Sequence, residues 1–274
     1  MNSLFGLEGK SVLVIGGGFG MGEATVGLLA SLGANIAVLD LDPDRAERVA
    51  NEARVAGVNA VSLCADVNDE AALVAAIGQA ERDLAPLDAM ASVVGMAAWS
   101  TLLDMTLETW DTDHRRNLRY FFIAAREVAR RMVERGAPGS IVAVSSIDGI
   151  RSAPNHASYG AAKAGLLNLV KTMAAEWAQY GLRINCVAPG GIVTPRVPLT
   201  DPERERQAMA MLPMQRRGTT EDIAKAIAYF LSDMSPYVTG QTLAVDGGYT
   251  AVGVFQNRAT LPSGGTYGDR AAKQ

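Results

Sequence analysis

Short apolar runs alternate with longer amphipathic stretches along almost the whole chain. Ser11–Ile15, Asn35–Asp40, Ala60–Ala65, Asp88–Val94, Ser140–Ser145, Arg183–Ala188 and Thr242–Val245 read as strands, each a few apolar residues bounded by turn formers. Between them Glu23–Leu32, Pro43–Ala56, Glu70–Leu84, Leu107–Arg135, Ala157–Tyr180 and Thr220–Ser232 carry helical periodicity. Gly33 is a natural stop for the first helix, and Pro43 suits the first turn of the second. Strands spaced by helices predict an α/β fold: a parallel sheet of about seven strands with helices on both faces. Right-handed crossovers then make it doubly wound, a Rossmann arrangement.

No internal repeat or linker interrupts the pattern, so the 274 residues are expected to form a single domain with its core at about 7–250. Two stretches break the rhythm. Residues 194–217 are rich in proline and methionine and are expected to cover a site. The tail, 251–274, is small and polar and is expected to be loose.

Composition changes this picture little. An apolar share of 49% is enough for a large core. The net charge of −4, with no basic stripe, argues against a nucleic-acid partner. Arg115, Arg116 and Arg119 are expected on a solvated or subunit-facing helix surface. No apolar run reaches the ~18 residues of a membrane span, and Met1–Lys10 has no signal-peptide pattern. A cytoplasmic protein without membrane contact is therefore expected. Cys64 and Cys186 lack CxxC spacing and read as reduced core cysteines; His114 and His156 are too few for a zinc site.

The chemistry begins at the glycine cluster after the first strand. Gly16, Gly20 and Gly22, with Gly17 and Gly18 between them, open the first helix. Glycine permits the sharp turn and lets a pyrophosphate approach the N–H groups at the helix start. Asp40, 24 residues after Gly16, ends the second strand. A carboxylate there accepts the ribose hydroxyl protons and repels a 2′-phosphate, which favours NAD over NADP. No basic residue stands at Leu41, and Arg45 is a helical turn further on.

Ser146 closes the fifth strand, and Tyr159 and Lys163 follow at i and i+4, on one face of a helix. A free phenol, with a pKa near ~10, is a poor base at neutral pH. A cation ~4 Å away is worth about 4 kcal/mol at an effective dielectric of ~20, enough to poise it near working pH. Tyr159 can then exchange a proton with an alcohol, and Ser146 can hold the same oxygen.

These residues resemble the short-chain dehydrogenase/reductase family in its single-domain short form, over about residues 7–250. Gly16, Gly20 and Gly22 match its Gly-x-x-x-Gly-x-Gly, and Tyr159 and Lys163 its Tyr-x-x-x-Lys, with Ser146 at the family spacing. Asn117 matches the fourth catalytic member, which helps hold a relay water; the lysine also binds the nicotinamide ribose. The resemblance implies a cofactor seat made by Gly16, Gly18, Phe19, Gly20, Met21, Gly22, Asp40, Leu41, Asp66, Val67, Val94, Gly95, Tyr159, Lys163, Pro189, Gly190, Ile192 and Thr194. It implies a substrate pocket with Met96, Trp99, Ser146, Asp148 and Val193, near the methionines at 209, 211 and 214. Asp148 is expected more as a turn cap than as a ligand, and His156 as a loop or cap residue. A homotetramer or homodimer is implied as well.

The chain departs from the family pattern in three places: Ile15 for Thr, Phe19 for a small residue, and Ser92-Val93-Val94-Gly95 for Asn-Asn-Ala-Gly. The expected activity is hydride transfer between NAD and a small-molecule secondary alcohol or ketone, with an apolar cyclic, aromatic or steroid-like frame. The alternatives are a 3-oxoacyl-thioester reductase and a non-catalytic NAD-binding redox sensor or scaffold.

Overall fold

The computed structural model describes residues 4–252 apart from 200 and 211. Seven strands pair in parallel in the order β3-β2-β1-β4-β5-β6-β7. They are β1 Ser11–Ile15, β2 Asn35–Asp40, β3 Ala60–Cys64, β4 Ala89–Ser92, β5 Gly139–Val144, β6 Leu182–Pro189 and β7 Thr242–Val245. The helices are α1 Met21–Ser31, α2 Pro43–Val55, α3 Glu70–Asp83, α4 Leu107–His114, α5 Tyr120–Glu134, α6 Ala157–Trp177, α7 Pro202–Ala210 and α8 Thr220–Leu231.

Successive strand side chains alternate between two faces, and two apolar cores follow. On one face Leu13 and Ile15 of β1 join residues of α3, α5 and α6. On the other, Val12 and Val14 join residues of α1, α2 and α8. Helix starts are fixed locally: Asp42 caps α2, Asp69 caps α3, and Thr219 and Asp222 form a capping box on α8.

The strand order reverses between β1 and β4, and at that switch point a crevice opens beyond the carboxyl ends of the strands. The segments after β1, β4, β5 and β6 meet there.

Three expectations change. The long helix over 107–135 is broken by a π turn at Arg115–Arg119, which re-phases the helix faces around buried Asn117. The cover stretch contains a helix, α7. Cys64 is exposed, because β3 is the edge strand and Cys64 is its last residue; Cys186, in β6, is buried. Met211 and nearly all of the tail lie outside the described residues.

Candidate active site

The turn after β1 needs its glycines. Gly16 and Gly20 have φ of +78° and +59°, values that side chains other than glycine's rarely tolerate. A Cβ on Gly22 would stand 1.9 Å from the Gly16 carbonyl oxygen, so the start of α1 touches the turn backbone. No side chain caps α1, which leaves its first N–H groups for an anionic ligand. Gly18 donates its N–H to Asp40 Oδ2 at 3.0 Å, and Asp42 donates to Oδ1 at 3.1 Å. The acid at the end of β2 therefore stands beside the glycine turn, with exposed Leu41 next to it. Asp66 is exposed after β3 and Val67 is buried.

Arg45 is nearer than its sequence distance suggests. Its guanidinium lies 4.7 Å from the Phe19 ring centre, and Asp42 pairs with it at 3.2 Å. Phe19 thus acts as a platform for an arginine, with Arg196 of the cover 5.9 Å above the same ring.

The departure after β4 is compensated from α5. Ser92 Oγ donates to Tyr120 Oη at 3.0 Å, and Tyr120 Oη donates to the Val94 carbonyl at 2.9 Å. Tyr120 is fully buried and ties this loop to the sheet. Val94 fills space against Gly16, its Cγ2 only 2.9 Å from where a Cβ would be. A Cβ on Gly95 would meet Lys163 Nζ at 3.1 Å and Asn117 Oδ1 at 3.3 Å.

Ser146, Tyr159, Lys163 and Asn117 reach this crevice from β5, α6 and the π turn. Lys163 is only 1% exposed; its Nζ donates to the Val144 carbonyl at 2.9 Å and lies 5.6 Å from the Tyr159 ring centre. Asn117 is satisfied by neighbouring backbone. Its Oδ1 accepts from Met96 N–H at 3.2 Å, and its Nδ2 donates to the Met96 and Asp113 carbonyls, each at 2.9 Å.

Burial dominates the titration of this pair. It pushes the Tyr159 phenol up to about 12, only partly opposed by a hydrogen bond from Ser146, with the Asp148 and Asp113 charges adding to the rise. It pulls Lys163 down to about 8. In the chain alone the phenol is therefore raised rather than lowered, with burial the largest influence on it.

No motif or spacing pointed to Asp113, a fully buried acid whose charge acts on Tyr159. Its carboxylate accepts from Ser158 Oγ at 2.6 Å, Arg116 Nε at 3.1 Å and Ala98 N–H at 3.3 Å. It joins the residue before Tyr159, the π turn and the loop after β4.

A cavity of about 490 Å³ adjoins the segment after Ser146. Its apolar wall includes Ile147, Val197, Leu212 and Tyr249, and Arg151, Arg217 and Glu205 also line it. Met96, Trp99, Asp148 and Val193, the residues expected to meet the substrate, are not in the lining of this cavity. Asp148 is engaged by His156 Nδ1 at 3.2 Å and by Arg151 at 3.5 Å. Its side chain caps nothing; its N–H donates to Ser146 Oγ at 3.1 Å. His156 occupies the cap position of α6 without capping it. Trp99 packs edge-on against His156 at 3.9 Å and reaches Tyr159 only through that ring. Met96 serves Asn117, and Val193 N–H pairs with the Gly218 carbonyl at 2.8 Å. Pro189 ends β6, and a Cβ on Gly190 would lie 2.8 Å from Asp246, so that turn is closely packed. Ile192 is buried, and Thr194 Oγ1 accepts from Val197 N–H at 3.1 Å.

Comparison with known proteins agrees with this geometry. A family profile described as enoyl-(acyl carrier protein) reductase matches residues 17–250. The chain is 35% identical over 252 residues to 2-(S)-hydroxypropyl-CoM dehydrogenase 3 of Xanthobacter autotrophicus, covering 90% of this chain and 98% of that protein. It is 38% identical over 226 residues to the inactive 2-(S)-hydroxypropyl-CoM dehydrogenase 2 of the same organism, covering 80% and 96%. Among solved structures, a putative gluconate dehydrogenase from Agrobacterium tumefaciens superposes with a TM-score of 0.85 at 31% identity, covering 90% and 98%.

Proposed function

The chain belongs to the short-chain dehydrogenase/reductase family, oxidoreductases that use nicotinamide cofactors, and on that premise we propose that it is an NAD-dependent dehydrogenase of secondary alcohols. The observation that carries this reading is the meeting of Lys163 and Asn117 beside Gly95, with the Tyr159 ring centre 5.6 Å from Lys163 Nζ and its phenol hydrogen-bonded to Ser146.

The residues fit such a cofactor: a side chain on Gly16, Gly18 or Gly22 would collide with Val94, Asp40 or the Gly16 carbonyl, no side chain caps the first N–H groups of α1, and Asp40 stands beside the turn. Phe19, Met21, Leu41, Asp66, Val67, Val94, Gly95, Pro189, Gly190, Ile192 and Thr194 complete the seat. When bound, the oxidised nicotinamide accepts the hydride of the carbinol carbon. Tyr159 takes the hydroxyl proton in oxidation and returns it in reduction. Ser146 hydrogen-bonds the same substrate oxygen. Lys163 supplies a cation in a dry environment, where charge acts most strongly. Asn117, locked to Met96 and Asp113, holds the water that relays the proton outward.

Asp40 supports NAD over NADP, and Arg45 pairs with Asp42 at 3.2 Å. The apolar cavity wall suits a cyclic carbon frame. Exposed Leu103, Leu107 and Phe122 support a homotetramer or homodimer built through the long helices. No helix among the described residues is long and apolar enough to cross a membrane.

Two observations favour other readings. The family profile's description points to acyl-carrier substrates, and one close relative is inactive. One experiment separates all three. Purified protein is given NAD⁺ or NADP⁺ with aliphatic, cyclic and aromatic alcohols, and NADPH with a 3-oxoacyl thioester, beside Tyr159→Phe. NAD⁺-linked turnover that falls at least ~10³-fold in the variant is the expected result. A strong NADPH preference with the thioester establishes the reductase instead. Cofactor binding without turnover on any of these substrates leaves a substrate outside the panel or the non-catalytic reading.

A further inference from the structure

The start of the cover lies over the glycine turn. A Cβ on Gly20 would stand 4.0 Å from Pro195 Cδ, so the cover meets the backbone at the uncapped start of α1. The next residue, Arg196, is exposed, and its guanidinium stands 5.9 Å from the Phe19 ring centre. At that distance a cation is drawn to an aromatic face. Phe19 immediately precedes Gly20, so the ring keeps this charge close to the first free N–H groups of α1.

The backbone that carries Arg196 is braced. Thr194–Val197 forms a tight turn with Pro195 at its second position, and Val197 N–H donates to the Thr194 carbonyl at 3.0 Å and to Thr194 Oγ1 at 3.1 Å. Arg217 Nη2 donates to the carbonyls of Ile192 at 2.7 Å and Val197 at 3.4 Å, one before the turn and one at its end. Glu205 holds the same guanidinium at 3.1 Å. Little order remains to be imposed on this main chain when a ligand arrives.

The neighbouring cations have acid partners. Arg45 pairs with Asp42 at 3.2 Å, and Arg48 pairs with Glu23 at 2.9 Å and with Glu52 at 2.8 Å. The Arg196 side chain makes no ion pair or hydrogen bond among the described residues, only the contact with Phe19. A guanidinium offers parallel donors that match phosphate oxygens, and a helix start offers fixed N–H groups for the same anion. Asp40, beside the turn, repels a phosphate on the ribose. The anion that suits Arg196 is therefore the pyrophosphate.

We propose that Arg196 is a cofactor ligand supplied by the cover, pairing with the pyrophosphate of the dinucleotide at the start of α1. This rests on the cofactor reading above and adds to it a residue outside the glycine motif.

The test measures dissociation constants of NADH, NADPH and ADP-ribose, by nucleotide fluorescence and its displacement, for wild type, Arg196→Ala and Arg196→Lys. Arg196→Ala should weaken NADH and ADP-ribose alike by roughly 10- to 100-fold, the worth of a charge-assisted hydrogen bond. Arg196→Lys should recover part of the loss, since it keeps the charge without the fork. The gap between wild type and Arg196→Ala should narrow as salt rises from about 0.05 to about 0.5 M. Affinities of Arg196→Ala within about 2-fold of wild type overturn the proposal. So does a loss that salt leaves unchanged, which marks a packing role, or a loss larger for NADPH than for NADH, which assigns Arg196 to the 2′-phosphate. Wild-type protein that binds neither dinucleotide refutes the cofactor reading itself, and the proposal with it. The dehydrogenase reading is judged on turnover and this proposal on affinity, so either can fail alone.

Discussion

Replacing Lys163 by methionine should abolish activity and yet stabilise the protein at neutral pH. The side chain is 1% exposed, and burial lowers its pKa from 10.5 to about 8. Below pH 8 the ammonium is charged in both the folded and the unfolded chain, and the folded state bears the whole cost of desolvating it. At about 1.4 kcal/mol per pH unit, the drop from 10.5 to about 8 corresponds to about 3 kcal/mol. Between pH 8 and 10.5 the unfolded chain holds the proton and the folded chain does not, so wild-type stability rises with pH until the cost is gone. Methionine keeps the length of the side chain without the charge. It leaves the Val144 carbonyl without its 2.9 Å donor, a loss of about 1 kcal/mol. The net gain is about 2 kcal/mol at pH 7, a rise in Tm of about 4–8 °C for a chain of this size. Thermal denaturation of both proteins from pH 7 to 10 measures it. The difference should be largest at pH 7 and shrink steadily above pH 8. A variant less stable than wild type at pH 7, or a difference independent of pH, refutes the claim that the buried ammonium is a cost the fold bears for function.

The other predictions concern the supports of the site. Asp113→Ala leaves Ser158 and Arg116 without their acceptor; Tm should fall by about 6–15 °C, from a loss of about 3–5 kcal/mol. Adding Arg116→Met should recover part of that, as calorimetry can show. Tyr120→Phe removes the hydroxyl that joins Ser92 to the Val94 carbonyl and should cost about 1–3 kcal/mol in denaturant melts. Gly22→Ala places a methyl 1.9 Å from the Gly16 carbonyl oxygen and should raise the cofactor KM at least ~10-fold by forcing turn and helix apart. The phenol of Tyr159, raised to about 12, is protonated at neutral pH. Alcohol oxidation should therefore accelerate with pH from 7 to 9 while ketone reduction does not, in paired pH-rate profiles.

Local information carried much of this protein. Helix and strand order followed from apolar periodicity, which the backbone repeats of 3.6 and 2 residues impose whatever the rest of the chain does. The glycine turn was legible because only glycine tolerates its φ values and its backbone contact. Tyr159 and Lys163 shared a face because i and i+4 always do on a helix.

What sequence did not reveal depends on residues far apart in the chain. The π turn at Asn117 has no local signature, and Tyr120 could be seen to serve in place of the missing asparagine only once α5 lay beside β4. Nothing local singles out Arg151, Glu205 and Arg217, which line one cavity only in the folded chain. Cys64 looked like core because strand sequence does not say which strand lies at the edge. The raised pKa of Tyr159 and the lowered pKa of Lys163 were out of reach for the same reason: sequence spacing gives the charge that stands nearby, whereas desolvation is set by everything packed around it. The sequence by itself determined the elements and the chemical groups, through short-range backbone geometry; the tertiary structure alone decided burial, and with it the charge states and the shape of the substrate cavity.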